Sequence, residues 1–408
     1  MPKPEDIAEH ALVDNAQELE KVVAMIDQTK VFGLDLEFIP ERTYYPIICL
    51  VQVAVGDRVF LVDPIKLKDL QILWQRVADA SITKVLHAAA QDLTIIFQKS
   101  GLIPKNIFDT QIAAGFLGLG YPAGYGKLLS ALFDLNLSKT ESYTDWQARP
   151  LSRSQLEYAV DDALHLLPLY DRLKADLEQR RRLDWVVEEC RLYENDGYYI
   201  KESGHEFLRI KGAQGLNRRK LAVLQCLCLW RESEAQRVDR PARSVLSDNI
   251  MLELAKKPPS SVEDIQRIRG IRGDQLAGWG KKVIKVVEEA SHIQDAQCPQ
   301  WPSGRAPSKA DVLIADILYT VLKVRSLDFE IAPELLATRD ELQGLVRFAK
   351  IKEPESKQDE RNGNSLAEGW RRKLVGDELI EVLRGAEVCL KVSSESANCP
   401  IEMRVAKL

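Results

Sequence analysis

Apolar and polar positions follow two rhythms along this chain, and the change falls near residue 200. Before it, short apolar runs alternate with amphipathic stretches. Val31 to Leu36 is apolar apart from Asp35, and Phe38 and Ile39 extend the run, which predicts a buried strand over 31–38. The run 47–55 predicts a second strand, Gly56-Asp57 a turn and 58–62 the return strand, giving a three-stranded meander. Residues 5–29, with Leu12, Val13, Leu19, Val22, Val23 and Ile26 at mixed spacing, predict a helix or helix pair with Asp14 or Asn15 as a cap. Leu67, Leu70, Leu73, Trp74 and Val77 share one face of a helix over 67–78. A strand over 84–89 runs into a helix from about Gln91 to Lys99, with Asp92 in its first turn. A fifth strand is predicted over 107–110, leading to a helix through Leu117. A helix over 126–134, a polar loop over 137–150 and a long helix opening at Ser152 or Ser154 follow. That helix is expected to break near Pro168, before a charged exit helix over 170–193 and a turn at Asn195-Asp196-Gly197.

Residues 214–290 read as entirely helical, with helices over 216–231, 248–255 and 275–290 and a capping box from Ser261 to Asp264. Residues rich in Pro, Gly and Ser then predict a linker over 293–308. A weak repeat follows: the stretch 245–254 resembles 335–342, and Leu276-Ala277-Gly278-Trp279 resembles Leu366-Ala367-Glu368-Gly369-Trp370. Two related helical modules in tandem are inferred. Residues 352–364 are polar and predict a flexible loop, and the chain from Val392 is expected to be loosely held. The predicted domains are an α/β unit over 1–200, a helical module over 210–292 and a second over 309–392.

Composition narrows the class. The 408 residues are 45% apolar, as in soluble globular protein. There is no run of about 18 apolar residues to span a membrane, and the N-terminus lacks the pattern of a signal peptide. The seven scattered cysteines predict reduced thiols in a cytoplasmic protein. The net charge of −5 hides an asymmetry: residues 201–290 hold 18 Lys and Arg against 12 Asp and Glu, so that segment is +6 and the remainder −11. A basic middle segment beside an acidic domain suits a part that touches phosphate and a part that handles metals, or else a solvated face with no ligand.

Candidate chemistry begins at Asp35 and Glu37. Two apart on a strand, they project to the same face. Like charges there repel unless a cation lies between them or one holds a proton, and an oxygen-rich pair suits Mg²⁺ or Mn²⁺. A strand whose exposed face carries two acids is the plainer alternative. Asp92 sits at a strand-to-helix junction, where sites collect in open α/β sheets, although the helix dipole also favours an acid there. Tyr158 and Asp162, four apart on a helix, share a face.

In this order, Asp-x-Glu, Asp and Tyr-x-x-x-Asp resemble the three motifs of the DEDDy 3′→5′ exonucleases. Phe-Asp-Thr-Gln at 108–111, the stretch 142–151 and Tyr-Ala-Val-Asp-Asp at 158–162 resemble the bacterial ribonuclease D family in particular. The resemblance covers about residues 10–200; residues 214–290 resemble the HRDC module, and 305–390 resemble a second such module more weakly. It implies an α/β RNase H-like domain, a mixed sheet flanked by helices, followed by two all-α HRDC-like modules. It further implies that Asp35, Glu37, Asp92 and Asp162 hold two divalent ions, Mg²⁺ or Mn²⁺, about 4 Å apart for phosphoryl chemistry. Asp35 would bridge them, and Tyr158 would orient the attacking water, since a phenol with a free pKa near ~10 is a poor general base. Asp161 faces about 100° away on the helix and is not expected to ligate.

Around that centre, His87 lines the site or packs at its strand end, and Gln52 and Asp109, at expected strand ends, are structural or support the residues that hold the metals. Lys139, Trp146 and Arg149 are candidate contacts to substrate phosphates and a base, or else belong to a solvated polar loop. Arg218, Arg219, Lys220, Arg269, Arg272, Lys281 and Lys282 are candidate phosphate contacts in the HRDC-like module, with packing against the exonuclease domain as the alternative. The implied activity is a monomeric, cytoplasmic exoribonuclease that trims the single-stranded 3′ ends of structured RNA such as tRNA precursors, releasing 5′-mononucleotides. A DNA-directed 3′→5′ exonuclease and a non-catalytic nucleic-acid scaffold are the alternatives.

Overall fold

The computed structural model describes residues 12–137, 144–200, 204–271, 273–301, 307–350, 365–392 and 401–406. A six-stranded mixed sheet lies at its centre. The strands are β1 (Leu12–Val13), β2 (Val31–Ile39), β3 (Ile47–Val55), β4 (Arg58–Val62), β5 (Thr83–Leu86) and β6 (Ile107–Asp109), in the order β1-β4-β3-β2-β5-β6. The predicted meander is β2–β3–β4, antiparallel throughout, while β5 and β6 extend it in parallel beyond β2.

Alternation along β2 divides the sheet into two faces. Phe32, Leu34 and Leu36 point into the larger core, which the helices α1 (Ala16–Thr29), α2 (Gln71–Ala78) and α3 (Ala90–Ser100) cover. Asp109 caps the short helix α4 (Thr110–Gly115), and α5 (Tyr125–Phe133) follows. Gly33, Asp35 and Glu37 belong to the other face with Leu50, Ala54 and Leu61, beneath α6 (Arg153–Leu164) and the start of α7 (Leu166–Gln179). At Gly33 a Cβ would stand 3.0 Å from the Leu166 Cβ and 3.1 Å from that of Ala54. The glycine therefore lets the α6–α7 junction press onto β2, which brings the acid of α6 to the acids of β2.

Several expected boundaries move. Leu12 and Val13 are not helical; they form an edge strand parallel to Leu61 and Val62, and α1 starts behind the Asn15 cap. The remainder of the helix expected over 5–29 that precedes Leu12 lies outside the described residues. Leu67 and Leu70 precede α2 rather than forming its first turn. The long helix opens with the Ser152–Gln155 capping box but breaks at His165, not Pro168. Pro168 falls in the first turn of α7, where its missing N–H costs no intrahelical bond. The exit segment is interrupted at Arg181, whose φ is +55°, before α8 (Leu183–Cys190).

The middle module has its own core. Helices α9 (Arg218–Val238), α10 (Asp248–Lys256) and α11 (Gly273–Ser291) pack Leu224, Leu227, Met251, Leu254 and Val283 together. The expected linker is only partly free: Cys298 is buried and Trp301 packs on this core, while 302–306 lie outside the described residues. The Tyr44 hydroxyl donates to Glu232 at 2.5 Å, and the Tyr44 and Tyr45 N–H groups donate to Asp239, joining α9 to the loop after β2.

The last module is α12 (Lys309–Asp328), α13 (Arg339–Lys350) and the helical stretch 369–383, with the expected loop over 352–364 outside the described residues. It does not stand apart as a separate bundle. Its core is continuous with that of the sheet domain, through Trp370 against Trp185 and Phe116 and through the Ala332 N–H donating to the Gly115 carbonyl at 2.8 Å. Nor is it all-α: Glu387–Val392 pairs antiparallel with Ile401–Ala406, so of the chain expected to be loose from Val392, Val392 and 401–406 are paired, while 393–400 and 407–408 lie outside the described residues. Among the described residues no helix is long and apolar enough to cross a membrane.

Candidate active site

Asp35, Glu37 and Asp162 each offer a carboxylate oxygen, and these oxygens lie within 4.8 Å of one another, a spacing that fits a metal ion. The strand period supplies the first two and the α6–α7 contact supplies the third. Asp92, in the first turn of α3, lies close enough for its charge to act on Asp35 and Glu37, but outside that group of three.

All four acids resist ionisation. Burial, then the charges of Asp92, Asp162 and Glu37, push Asp35 well above the usual carboxylate range. Burial, then Asp162 and Asp92, raise Glu37 to about 8. Burial, then Asp109, raise Asp92 to about 7. Burial raises Asp162 to about 6 against the lowering effect of a hydrogen bond from Tyr158. Buried like charges with no cationic side chain between them among the described residues fit a divalent cation, which would remove the repulsion and satisfy the oxygens together. Asp161 is pushed up by burial and by Glu157.

The surroundings divide the expected substrate residues. His87 is braced at the strand end, its Nδ1 2.9 Å from the Thr110 hydroxyl and its ring 5.4 Å from Tyr125, and burial lowers its pKa. Trp146 is not a base-stacking platform. It is 5% exposed, packed beside Tyr158 with ring centroids 6.0 Å apart. Arg149 is not free for phosphate either: it clamps the fully buried Asp63 with two bonds of 2.7 and 2.8 Å and donates to the carbonyls of Cys49, Trp146 and Ala148. Arg218 donates to the carbonyls of Ala296 and Cys298, and Arg219 to those of Ser291 and Ile293 while pairing with Asp295. Both therefore tie down the chain after α11. Lys282 pairs with Glu234. Lys220 is partly exposed, and Arg269 and Lys281 are exposed. Lys139 and Arg272 lie outside the described residues.

Two residues join the site that spacing alone did not single out. Tyr125 faces Asp162 and Asp35 with a buried hydroxyl beside the backbone of His165. Its only sequence signal is its place in a glycine-rich stretch. Gln52, cross-strand from Asp35, is fully buried with both amide atoms unpartnered among the described residues. Expected at a strand end, it stands instead in the middle of β3.

Comparison with known proteins agrees with this organisation. A family model described as a 3′-5′ exonuclease matches residues 11–178, and the HRDC domain model matches residues 220–287. Ribonuclease D of Granulibacter bethesdensis is 33% identical over 390 residues, covering 94% of this chain and 95% of that protein. Ribonuclease D of Gluconacetobacter diazotrophicus is 34% identical over 376 residues, covering 92% and 93%. The crystal structure of Escherichia coli RNase D, an exoribonuclease involved in structured RNA processing, superposes with a TM-score of 0.78 at 29% identity and covers 91% of this chain and 98% of that one. Identity at this level along almost the whole of both chains makes the protein a member of the ribonuclease D family of 3′→5′ exoribonucleases.

Proposed function

We propose that Asp35, Glu37, Asp92 and Asp162 hold two divalent cations, Mg²⁺ or Mn²⁺, and hydrolyse the terminal phosphodiester at a single-stranded RNA 3′ end, releasing 5′-mononucleotides. The three acids whose oxygens lie within 4.8 Å of one another carry this reading. When bound, the cations supply an activated water and neutralise charge on the phosphate. The protein's part is to aim its carboxylates and exclude bulk water from them. Tyr158, hydrogen-bonded to Asp162, orients the attacking water through its hydroxyl. Of the HRDC module's candidates, Lys220, Arg269 and Lys281 are those among the described residues from which phosphate contacts would come.

The domain reading is an exonuclease domain over 1–200, an HRDC domain over 210–292 and a second HRDC-related module over 309–392. The order of a long helix, a one-turn helix, a shorter helix and a closing helix in both helical modules supports the last of these. The substrates we assign are tRNA precursors and other structured RNAs, processed by a cytoplasmic monomer; the Escherichia coli relative is an exoribonuclease involved in structured RNA processing.

The direct test is digestion of an RNA with a 3′ overhang in Mg²⁺ or Mn²⁺, beside the same reaction in EDTA and with matched DNA. Laddering by single nucleotides from the 3′ end, on RNA and only with metal, is expected. Equal digestion of DNA would reassign the substrate, and intact binding without digestion would sink the catalytic reading.

Metal affinity and activity are both expected to rise between about pH 6 and 8, because cations bind the carboxylates only after the protons leave. Metal-free stability runs the other way. The unfolded acids titrate near ~4, so the favourable contribution is complete below that pH and is lost as the pH climbs through about 6 to 8. The gap between melting temperatures in Mg²⁺ and in EDTA should therefore widen from acid to mildly alkaline buffer; a constant gap would contradict it.

A further inference from the structure

We infer that Asp109 is a positioning residue for this site: through the backbone of Ala88 and Ala89 it fixes the corner between β5 and α3, and so sets where Asp92 stands relative to the other acids. The inference rests on the metal-site reading above. Asp109 is 1% exposed at the end of β6, and none of the hydrogen-bond partners of its side chain among the described residues is a Lys or Arg. Its oxygens accept instead from the N–H groups of Ala88 at 3.0 Å and Ala89 at 2.9 Å, from the N–H of Gln111 at 2.9 Å and from the Tyr193 hydroxyl at 3.1 Å. The Gln111 bond is an ordinary helix cap for α4. The two bonds to the corner do not serve that helix.

The corner needs holding. Ala88 has φ +58°, a left-handed conformation that is sterically unfavourable for an L-residue. Such a conformation persists where its surroundings dictate it, and these cluster at functional sites. The end of β6 supplies that constraint. Asp109 lies in register with Leu86, the last residue of β5, and Thr110 beside it donates to the Leu86 carbonyl at 3.1 Å while meeting His87. The helix hydrogen bonds of α3 begin at the Ala89 carbonyl, which accepts from Leu93 at 3.0 Å. Asp92 is within that first turn, so a shift at Ala89 moves its carboxylate as part of a rigid helix. Tyr193, from the turn after α8, closes Asp109 in from the far side.

The test measures Mn²⁺ affinity by equilibrium dialysis on the full-length protein. Asp109→Asn keeps the shape but turns one oxygen into a donor facing backbone donors. The expected result is a loss of metal affinity of about 10–100-fold, the range seen for groups that orient metal ligands. With RNA, kcat should fall while KM stays within about twofold. Adding Ala88→Gly should recover part of the affinity, because glycine adopts positive φ without the penalty. Wild-type affinity in folded Asp109→Asn, with or without a lower melting temperature, overturns the inference. Should that variant not fold, Tyr193→Phe decides instead: a several-fold loss of Mn²⁺ affinity supports the anchor and an unchanged affinity rejects it. Asp92→Asn separates the two levels. If it binds Mn²⁺ as wild type, the metal-site reading has failed; if it loses affinity while Asp109→Asn does not, only the positioning role has.

Discussion

Replacing Asp35 with Asn is expected to slow 3′-end trimming by at least about a thousandfold, some 4 kcal/mol of transition-state stabilisation. Asp35 is the acid on which burial and three neighbouring charges converge, and its oxygens belong to the close group with Glu37 and Asp162. The amide keeps the shape and removes the charge, so the loss would report on cation binding rather than packing. The same substitution should stabilise the metal-free protein. One of four buried acids that repel each other is gone, and the melting temperature in EDTA at about pH 8 should rise. Opposite movements of activity and stability distinguish a charged site from a merely structural acid. A trimming rate within about tenfold of wild type would remove Asp35 from the centre of the chemistry.

The second large effect is on stability. Trp370→Ala is expected to cost about 3–5 kcal/mol, the usual range for removing a buried tryptophan. Trp370 is 3% exposed, stacked on Trp185 with centroids 5.5 Å apart and edge-on to Phe116 at 4.8 Å. Its indole N–H donates to Glu189 at 2.9 Å, and Arg371 holds both oxygens of the same carboxylate. The truncation would therefore open a cavity between two modules and leave Glu189 with fewer donors. Urea unfolding followed by far-ultraviolet circular dichroism gives the midpoint and slope. A wild-type midpoint would mean that the last module does not contribute to the stability of the sheet domain. Trp370→Phe, which keeps the ring contact and loses the donor, should fall between the two.

What the sequence made legible follows from the range of the interaction concerned. Asp35 with Glu37 and Tyr158 with Asp162 are pairs set by the local period, so their faces could be read without knowing the fold. The Ser152 cap and the β2–β3–β4 meander are local in the same sense. Other assignments needed partners far along the chain. Arg149 looks like a phosphate contact until Asp63, 86 residues earlier, occupies it. Arg218 and Arg219 look free until the chain after α11 returns to them. Leu12 and Val13 read as helix because their strand partners, Leu61 and Val62, are distant. The break at His165 rather than Pro168 shows that proline in a first turn marks a helix start as readily as a helix end.

The stacking of Trp370 on Trp185 also governs the timing of synthesis. The chain emerges from the ribosome in order, and Trp185 and Phe116 emerge long before Trp370. At 5–20 residues per second, the nascent sheet domain waits roughly ten to forty seconds with that aromatic face open to water. The HRDC domain, whose core among the described residues is built from residues 207–301 with no share in the sheet, is translated within that interval and can close on its own. Folding on the ribosome would then run out of sequence order, with the middle of the chain finishing before its beginning, and messages cut short ahead of residue 370 would release chains with an adhesive aromatic surface.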